Sequence, residues 1–244
     1  MEKRTRASGN EKPVLDTRDT RLIREMFSGV TSRYDFLNRL LSLRRDVAWR
    51  RAASRRMRFF RTFRLLDIAA GTCDIGIQAL QDHPGVRVVA LDLVEGMLKK
   101  GRDKALRKEM YSEMDLIVGD ALHLPFPDEC FDVVSTAFGI RNFPDRRAAL
   151  AEMARVAVPG GRVVVLEMAL PEDRVFRSIY RVYLRWILPR LARVFSPHHT
   201  AYQYLSRSIM DFPAPAVFAD LMSGVGLGPV SVYSLNMGIS YLHV

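Results

Sequence analysis

The spacing of apolar and polar positions changes rhythm at Arg64. Before it, apolar residues recur at helical intervals: Leu22, Ile23, Met26 and Phe27 within Thr20 to Gly29, then Phe36, Leu37, Leu40 and Leu41 within Tyr34 to Leu43. A third helical stretch runs from Arg44 to about Phe60, so three helices precede the first strand and form a cap over 20–63. Beyond Arg64, compact apolar runs alternate with amphipathic stretches. The runs predict strands near Arg64–Ile68, Val86–Leu91, Asp115–Val118, Phe131–Thr136 and Gly161–Glu167. Between them, helices are expected near Asp74–Gln81, Val94–Met110 and Asp145–Val156. Val158-Pro159-Gly160-Gly161 signals a turn just ahead of the fifth strand. Strand, helix, strand at these spacings implies right-handed crossovers and a parallel sheet.

After Pro171 the pattern changes again. Arg174 to Leu191 is a helix rich in aromatic, aliphatic and arginine residues; Ala201–Met210 and Ala214–Gly224 are two more. Strands near Pro229–Ser234 and Ile239–Val244 close the domain as an antiparallel pair. The expectation is an α/β fold: a Rossmann-like, seven-stranded sheet, mostly parallel with an antiparallel last strand. A polar tail without expected order (1–19) and the helical cap precede this domain (64–244), which carries a helical insertion at about 172–212.

The polar residues fall where such a sheet binds ligands, outside the carboxyl ends of its strands. The first run ends Leu65-Leu66-Asp67-Ile68-Ala69-Ala70-Gly71-Thr72-Cys73-Asp74, and the second ends Val88-Val89-Ala90-Leu91-Asp92. Small residues after the first strand admit an adenosine, and the second acid takes ribose hydroxyls. A dinucleotide fingerprint needs a middle glycine to seat pyrophosphate, and Cys73 stands in that place. S-adenosylmethionine has no pyrophosphate, so methyl transfer is favoured over hydride transfer. Asp67, Gly71 and Thr72 follow strand one, with main-chain N–H groups for a methionyl carboxylate. Asp74 is read either as the cap of the next helix or as the partner of the methionyl ammonium. Asp92 accepts from the ribose, and Asp120-Ala121 after strand three meets the adenine.

At 244 residues the chain has room for one such domain with a real core. No apolar run reaches the roughly 18 residues of a membrane span, and the N-terminus lacks a secretory apolar region. Two cysteines, Cys73 and Cys130, make neither a disulfide framework nor a metal set, which suits a reducing cytoplasm. His198 and His199 point apart on a helix, and no metal is expected. Charge is uneven: Met1 to Arg64 holds 18 Lys/Arg against 7 Asp/Glu, a surplus of 11 that exceeds the whole chain's net +10. Arg44, Arg45, Arg50, Arg51, Arg55, Arg56, Arg58, Arg61 and Arg64 fall in one helix and its exit. Three readings stay open: a solvated face, a surface for anionic lipid, or one for nucleic acid.

Several segments resemble the quinone-biosynthesis C-methyltransferases, which act on demethylmenaquinol and, in some organisms, on a ubiquinone precursor. They are Tyr34-Asp35-x-x-Asn38 with Ser42 and Trp49, Ala70-Gly71-Thr72-x-Asp74, Leu124-Pro125-Phe126 with Asp128, and Phe138-Gly139-Ile140-Arg141-Asn142. Arg155-Val156-x-x-Pro159-Gly160-Gly161 and Tyr202-x-Tyr204-Leu205 with Phe212-Pro213 continue the likeness, which runs from about Phe27 nearly to the end. The chain departs from the family at Cys73, usually glycine, at Asp46, usually histidine, and at Ser196-Pro197-His198-His199. The resemblance implies S-adenosylmethionine as methyl donor and a prenylated quinol as acceptor. It also raises Arg141 as stabiliser of negative oxygen and Tyr34 as proton relay, the two candidate catalytic residues. A lipid acceptor gives the Arg174–Leu191 helix a further reading, as an interfacial helix on the inner face of the cytoplasmic membrane beside the plainer ones of core helix or homodimer face. The rivals are a benzoquinol acceptor, another small-molecule O- or N-methyltransferase, an RNA methyltransferase, and an adenosine-binding scaffold. Nucleic acid is disfavoured because Asn142-Phe143-Pro144-Asp145 lacks the paired prolines and aromatic of an Asn-Pro-Pro-Tyr motif.

Overall fold

The computed structural model describes residues 24–25, 27–29, 39, 42, 44–190 and 199–244. Residues 24–25 and 27–29 are helical. The rest of the expected tail and first two cap helices, including Tyr34, falls outside these residues, as does His198. Seven strands form one sheet: β1 (Arg64–Ile68), β2 (Arg87–Asp92), β3 (Met114–Val118), β4 (Phe131–Ala137), β5 (Ala157–Met168), β6 (Val232–Leu235) and β7 (Ser240–His243). Their order is β3-β2-β1-β4-β5-β7-β6. The first five are parallel, and β7 is antiparallel to both of its neighbours. The chain reverses direction across the sheet between β1 and β4, which is where an open α/β sheet leaves a crevice.

Period-two alternation divides the core into two layers. Leu65, Val88, Val133 and Val164 face α1 (Arg45–Ser54), α2 (Asp74–Asp82) and α3 (Glu95–Arg107), whose Ala53, Ile77 and Leu98 fill that side. Leu66, Ile68, Val89 and Val134 face α4 (Arg146–Val156), with its Leu150 and Met153, and the later helix that carries Phe218. Arg155 pins the loop between β3 and β4, donating to the Leu124 and Phe126 carbonyls and to Asp128 and Glu152. Two of the segments that carry the resemblance are thus one contact.

Two expectations need correction. α1 ends at Ser54 rather than near Phe60. The N–H groups of Phe60, Arg61, Thr62 and Phe63 all turn onto the carboxylate of Asp132 at the start of β4, 2.8–3.2 Å away. That nest steers the chain into β1 and outcompetes another helical turn. β5 starts at Ala157, ahead of the Pro-Gly-Gly turn. The turn is a bulge inside the strand, with Phe131 opposite Ala157 and Val133 opposite Arg162.

Beyond β5, α5 (Arg174–Val182) continues as a π turn, Tyr183–Ile187. Pro189 lies just past it: its missing N–H and its ring both act against the carbonyl four residues back, and a wider turn relieves them. α6 (His199–Met210) and α7 (Pro215–Ser223), which opens on proline as helices favour, complete the chain before β6.

Candidate active site

Three residues within five positions at the tip of β1 take left-handed backbone: Ala69 (φ 53°), Gly71 (φ 55°) and Cys73 (φ 59°). The Ala70 N–H reaches the Leu91 carbonyl at 3.1 Å and the Cys73 N–H the Ala70 carbonyl at 2.8 Å, so the turn is tight and tied to β2. Gly139, after β4, closes against it. A Cβ there would stand 2.6 Å from Ala69 Cβ and 2.8 Å from Thr136 Oγ1, closer than side chains pack. Between these turns and the tips of β2 and β3 lies a cavity whose wall includes Gly71, Asp92, Val94, Met97, Asp120, Ala121, Phe138 and Asn142.

Asp92 is fixed in that wall by two main-chain donors, Gly71 N–H at 2.7 Å and Val94 N–H at 2.8 Å, one to each carboxylate oxygen. Burial raises its pKa while those bonds pull it back in part. A carboxylate held in this way presents its remaining lone pairs in fixed directions, the geometry a vicinal diol requires. Asp120 Oδ1 accepts the Leu122 N–H at 3.0 Å, and Ala121 stands beside it in the wall. Leu93, Met97 and Ala121 supply apolar surface for a flat base.

Behind the turn, charge is densely paired. Lys104 Nζ donates to Asp74 Oδ1 at 2.5 Å and Thr72 Oγ1 at 2.7 Å. Arg50 binds Asp46 at 2.6 Å, lies 4.0 Å from Asp74, and places its guanidinium 5.1 Å from the Phe138 ring. Burial alone would raise the Asp74 pKa, but Arg50 and Lys104 outweigh it and hold the carboxyl below its usual range. Asp67 is buried deeper still, and burial pushes it up to about 8.

The other half of the site stands on β4 and β5. Arg141, buried in the 3-10 turn Ile140–Asn142, donates through Nη1 to Glu167 Oε1 and to the Phe138 carbonyl, each at 2.6 Å. Its main-chain N–H reaches Glu167 Oε2 at 3.2 Å. Asn142 Oδ1 accepts the Tyr204 hydroxyl at 3.0 Å, joining the Phe-Gly-Ile-Arg-Asn segment to α6. A positive group is thereby held rigidly in a dry setting, the arrangement that favours an anion forming nearby.

Of the residues expected from sequence, Gly71, Asp92, Asp120 and Ala121 line the cavity. Asp67, Thr72 and Asp74 lie behind the turn rather than in its wall, and Arg141 lies beneath its Phe138–Asn142 edge. Tyr34 is outside the described residues. The expected cap role of Asp74 falls to Cys73, whose residue precedes α2. The Cys73 side chain lies against Gly101 of α3. The N–H groups of Gly71 and Cys73 are already given to Asp92 and Ala70, so they do not wait for a carboxylate. Sequence reasoning missed Glu167, Arg50 and Lys104. Glu167 interrupts an apolar run at the penultimate position of its strand just as Asp67 does, a signal legible in the sequence. Arg50, by contrast, is one arginine among nine, and only the fold turns it inward.

The profile of the ubiE/COQ5 methyltransferase family matches residues 14–244. The ubiquinone/menaquinone biosynthesis C-methyltransferase UbiE of Geobacter sulfurreducens is 41% identical over 222 residues, covering 91% of this chain and 86% of that protein. The demethylmenaquinone methyltransferase of Thermus thermophilus is 42% identical over 219 residues, covering 90% and 98%. Among solved structures, a SAM-dependent methyltransferase of Thermotoga maritima superposes with a TM-score of 0.63 at 17% identity, over 91% of this chain and 97% of that one. A methyltransferase in complex with the Trm112 activator of Haloferax volcanii gives 0.65 at 18% identity, over 91% and 95%. These two likenesses establish the class I methyltransferase fold.

Proposed function

The chain belongs to the ubiE/COQ5 methyltransferase family and is a methyltransferase of quinone biosynthesis, and we propose that it moves the methyl group of S-adenosylmethionine to a ring carbon of demethylmenaquinol. The observation that carries the donor half is the Asp92 clamp: a buried carboxylate in a cavity wall, both oxygens oriented by main-chain N–H, with Asp120 and Ala121 on the next strand tip. Asp92 takes the ribose hydroxyls, and Asp120 and the Ala121 N–H take the adenine edge. The methionyl end is a zwitterion, and it is assigned to the Gly71–Thr72 turn at the cavity wall, with the mixed cluster of Asp74, Arg50 and Lys104 behind that turn and Asp67 beneath it. Bound there, the sulfonium supplies an electrophilic methyl group.

The chain's own work is on the acceptor. A quinol ring carbon becomes nucleophilic as the neighbouring hydroxyl loses its proton. Arg141, clamped by Glu167, stabilises the developing oxyanion, and Tyr34 takes or relays the proton. Holding that carbon in line with the donor's methyl group would add the acceleration that proximity and orientation give. The relatives' names cover both menaquinone and ubiquinone biosynthesis, so a benzoquinol acceptor is the second reading. No helix among the described residues is long and apolar enough to cross a membrane, and contact with the bilayer that holds the acceptor is therefore proposed as peripheral. The test is transfer of labelled methyl to a short-chain demethylmenaquinol kept reduced, with the product located by mass and NMR. Methyl on a ring carbon is expected. Methyl on oxygen, or transfer to RNA with the quinol untouched, overturns the reading.

A further inference from the structure

α5 and its π extension have two apolar faces rather than one. The inner face, Tyr180, Leu184 and Leu188, is buried with Ile209 against Met168 and Leu170. It sits on the end of β5 beside Glu167, and Tyr180 feels the charge of Arg141. On the outer face, Val175, Ile179, Val182 and Trp186 follow one another at helical spacing and are 70%, 60%, 53% and 52% exposed. A helix lying on a protein core normally turns polar residues outward. Here the solvent side carries an aliphatic and aromatic stripe, and from Arg174 to Arg190 there are five arginines and no acidic residue. Arg177 is spent on fixing the helix start, through the Pro171 and Glu172 carbonyls. Arg174, Arg181 and Arg185 are exposed beside the stripe, and Arg185 and Arg190 place their guanidinium groups 5.8 and 5.3 Å from the Trp186 ring.

We propose that this outer face docks on an anionic lipid bilayer, its stripe entering the headgroup boundary and its arginines meeting the lipid phosphates. The inference rests on the reading above that the acceptor is a prenylated, membrane-borne quinol. Charge selects the occupant. A second copy would bring five more arginines against these five, and the N-terminal part of the chain, with its surplus of 11 positive charges, would be repelled in the same way. Of the stripe only Trp186 offers a ring for a nucleic-acid base, and Val175, Ile179 and Val182 give no stacking face along the rest of it. An anionic interface satisfies both halves of the face at once, because apolar burial and headgroup attraction add. The geometry also serves the chemistry. One helix, roughly 10 Å across, would separate the bilayer from the buried Arg141–Glu167 pair.

Trp186 is its own probe, since the other tryptophan, Trp49, is buried and bound to Asn236. Tryptophan emission is recorded with vesicles of phosphatidylcholine alone and of phosphatidylcholine mixed with phosphatidylglycerol, and the bound fraction is measured by flotation. A blue shift is expected with the anionic vesicles, weakening as salt rises and absent in Trp186→Phe. Ile179→Glu/Val182→Glu, two exposed positions, lowers the bound fraction about tenfold or more. It leaves turnover of a short-chain, water-soluble acceptor at the wild-type rate and slows that of a long-chain acceptor carried in vesicles. An unchanged emission spectrum, or equal binding by the double variant, overturns the proposal. So does concentration-dependent self-association that the double variant abolishes without any vesicle binding. Failure of the wild type to methylate the short-chain acceptor would defeat the substrate reading while leaving the docking result standing.

Discussion

Asp67 is a carboxylate placed where water does not follow. One oxygen accepts from Ser135 at 3.3 Å, and the other is left with at most a weak main-chain contact from Gly76. Burial drives its pKa up to about 8, against which the Ser135 bond and the Arg50 charge pull only in part. The folded protein therefore holds a proton on Asp67 across a window, from about pH 4 to about pH 8, where the unfolded chain has lost it. More protons in the folded state means that stability falls as pH rises through that window. Asp67→Asn keeps the shape and removes the titration. Melting both proteins without ligand at about pH 5 and about pH 8, the variant should gain on the wild type by several degrees at the higher pH, since each pKa unit is worth about 1.4 kcal/mol. A difference that stays flat with pH would mean that the carboxylate ionises without penalty. Asp67, Asp92 and Asp120 were legible in the sequence because each follows an apolar run. Their inequality was not: Asp92 is held by two main-chain N–H groups, one to each oxygen, whereas for Asp67 burial outweighs its Ser135 and Gly76 contacts, and only the packed turn decides this.

At the scale of elements, the seating of α3 against the turn between β1 and α2 rests on one exchange of size. Cys73 occupies a left-handed position where glycine is the unstrained choice, and its sulfur lies too close to residue 101 to leave room for a side chain there. Gly101 on α3 is thus the space that Cys73 fills. Gly101→Ala forces a methyl group onto Sγ and is expected to destabilise by about 1–3 kcal/mol, as overpacking does. Adding Cys73→Gly returns most of that loss, because it clears the overlap and also relaxes the left-handed backbone. Thermal melts of the two single variants and the double test it: additive losses would show that the two positions do not share the space. Sequence marked the helices themselves well, since their apolar faces repeat at 3.6 residues. It misplaced the end of α1 and the start of β5 for a common reason. Both boundaries are set from the start of β4: the Asp132 carboxylate gathers four N–H groups from 60–63, and Phe131 pairs with Ala157, contacts that join residues about 25–70 positions apart.

For the whole molecule, strand order separates the two halves of the reaction. The contacts proposed for the donor lie on the tips of β1, β2 and β3, whereas Arg141 and Glu167 belong to β4 and β5 on the far side of the reversal. The alternation of short apolar runs with amphipathic stretches was enough to predict this sheet. It could not predict that Arg141 would be buried against Glu167, because nothing local in either segment names the other. The separation has a measurable consequence. The demethylated donor, S-adenosylhomocysteine, at about a hundredfold over its Kd should stabilise the fold by about 2.7 kcal/mol, a rise of about 5–10 °C in Tm for a chain of this size. Asp92→Asn should abolish that rise at the same concentration, since an amide nitrogen would replace one of the two acceptor oxygens proposed for the ribose and turn a donor against the main-chain N–H bound there. Glu167→Gln should start from a lower Tm, because it leaves Arg141 buried without its counter-charge, yet keep the full ligand-induced rise. Its kcat should fall about a hundredfold at unchanged KM for the donor, the signature of support lost only as the oxyanion forms. If Glu167→Gln lost the ligand-induced rise as Asp92→Asn does, donor binding and acceptor activation would be one coupled site, and the division drawn by the sheet would have no functional meaning.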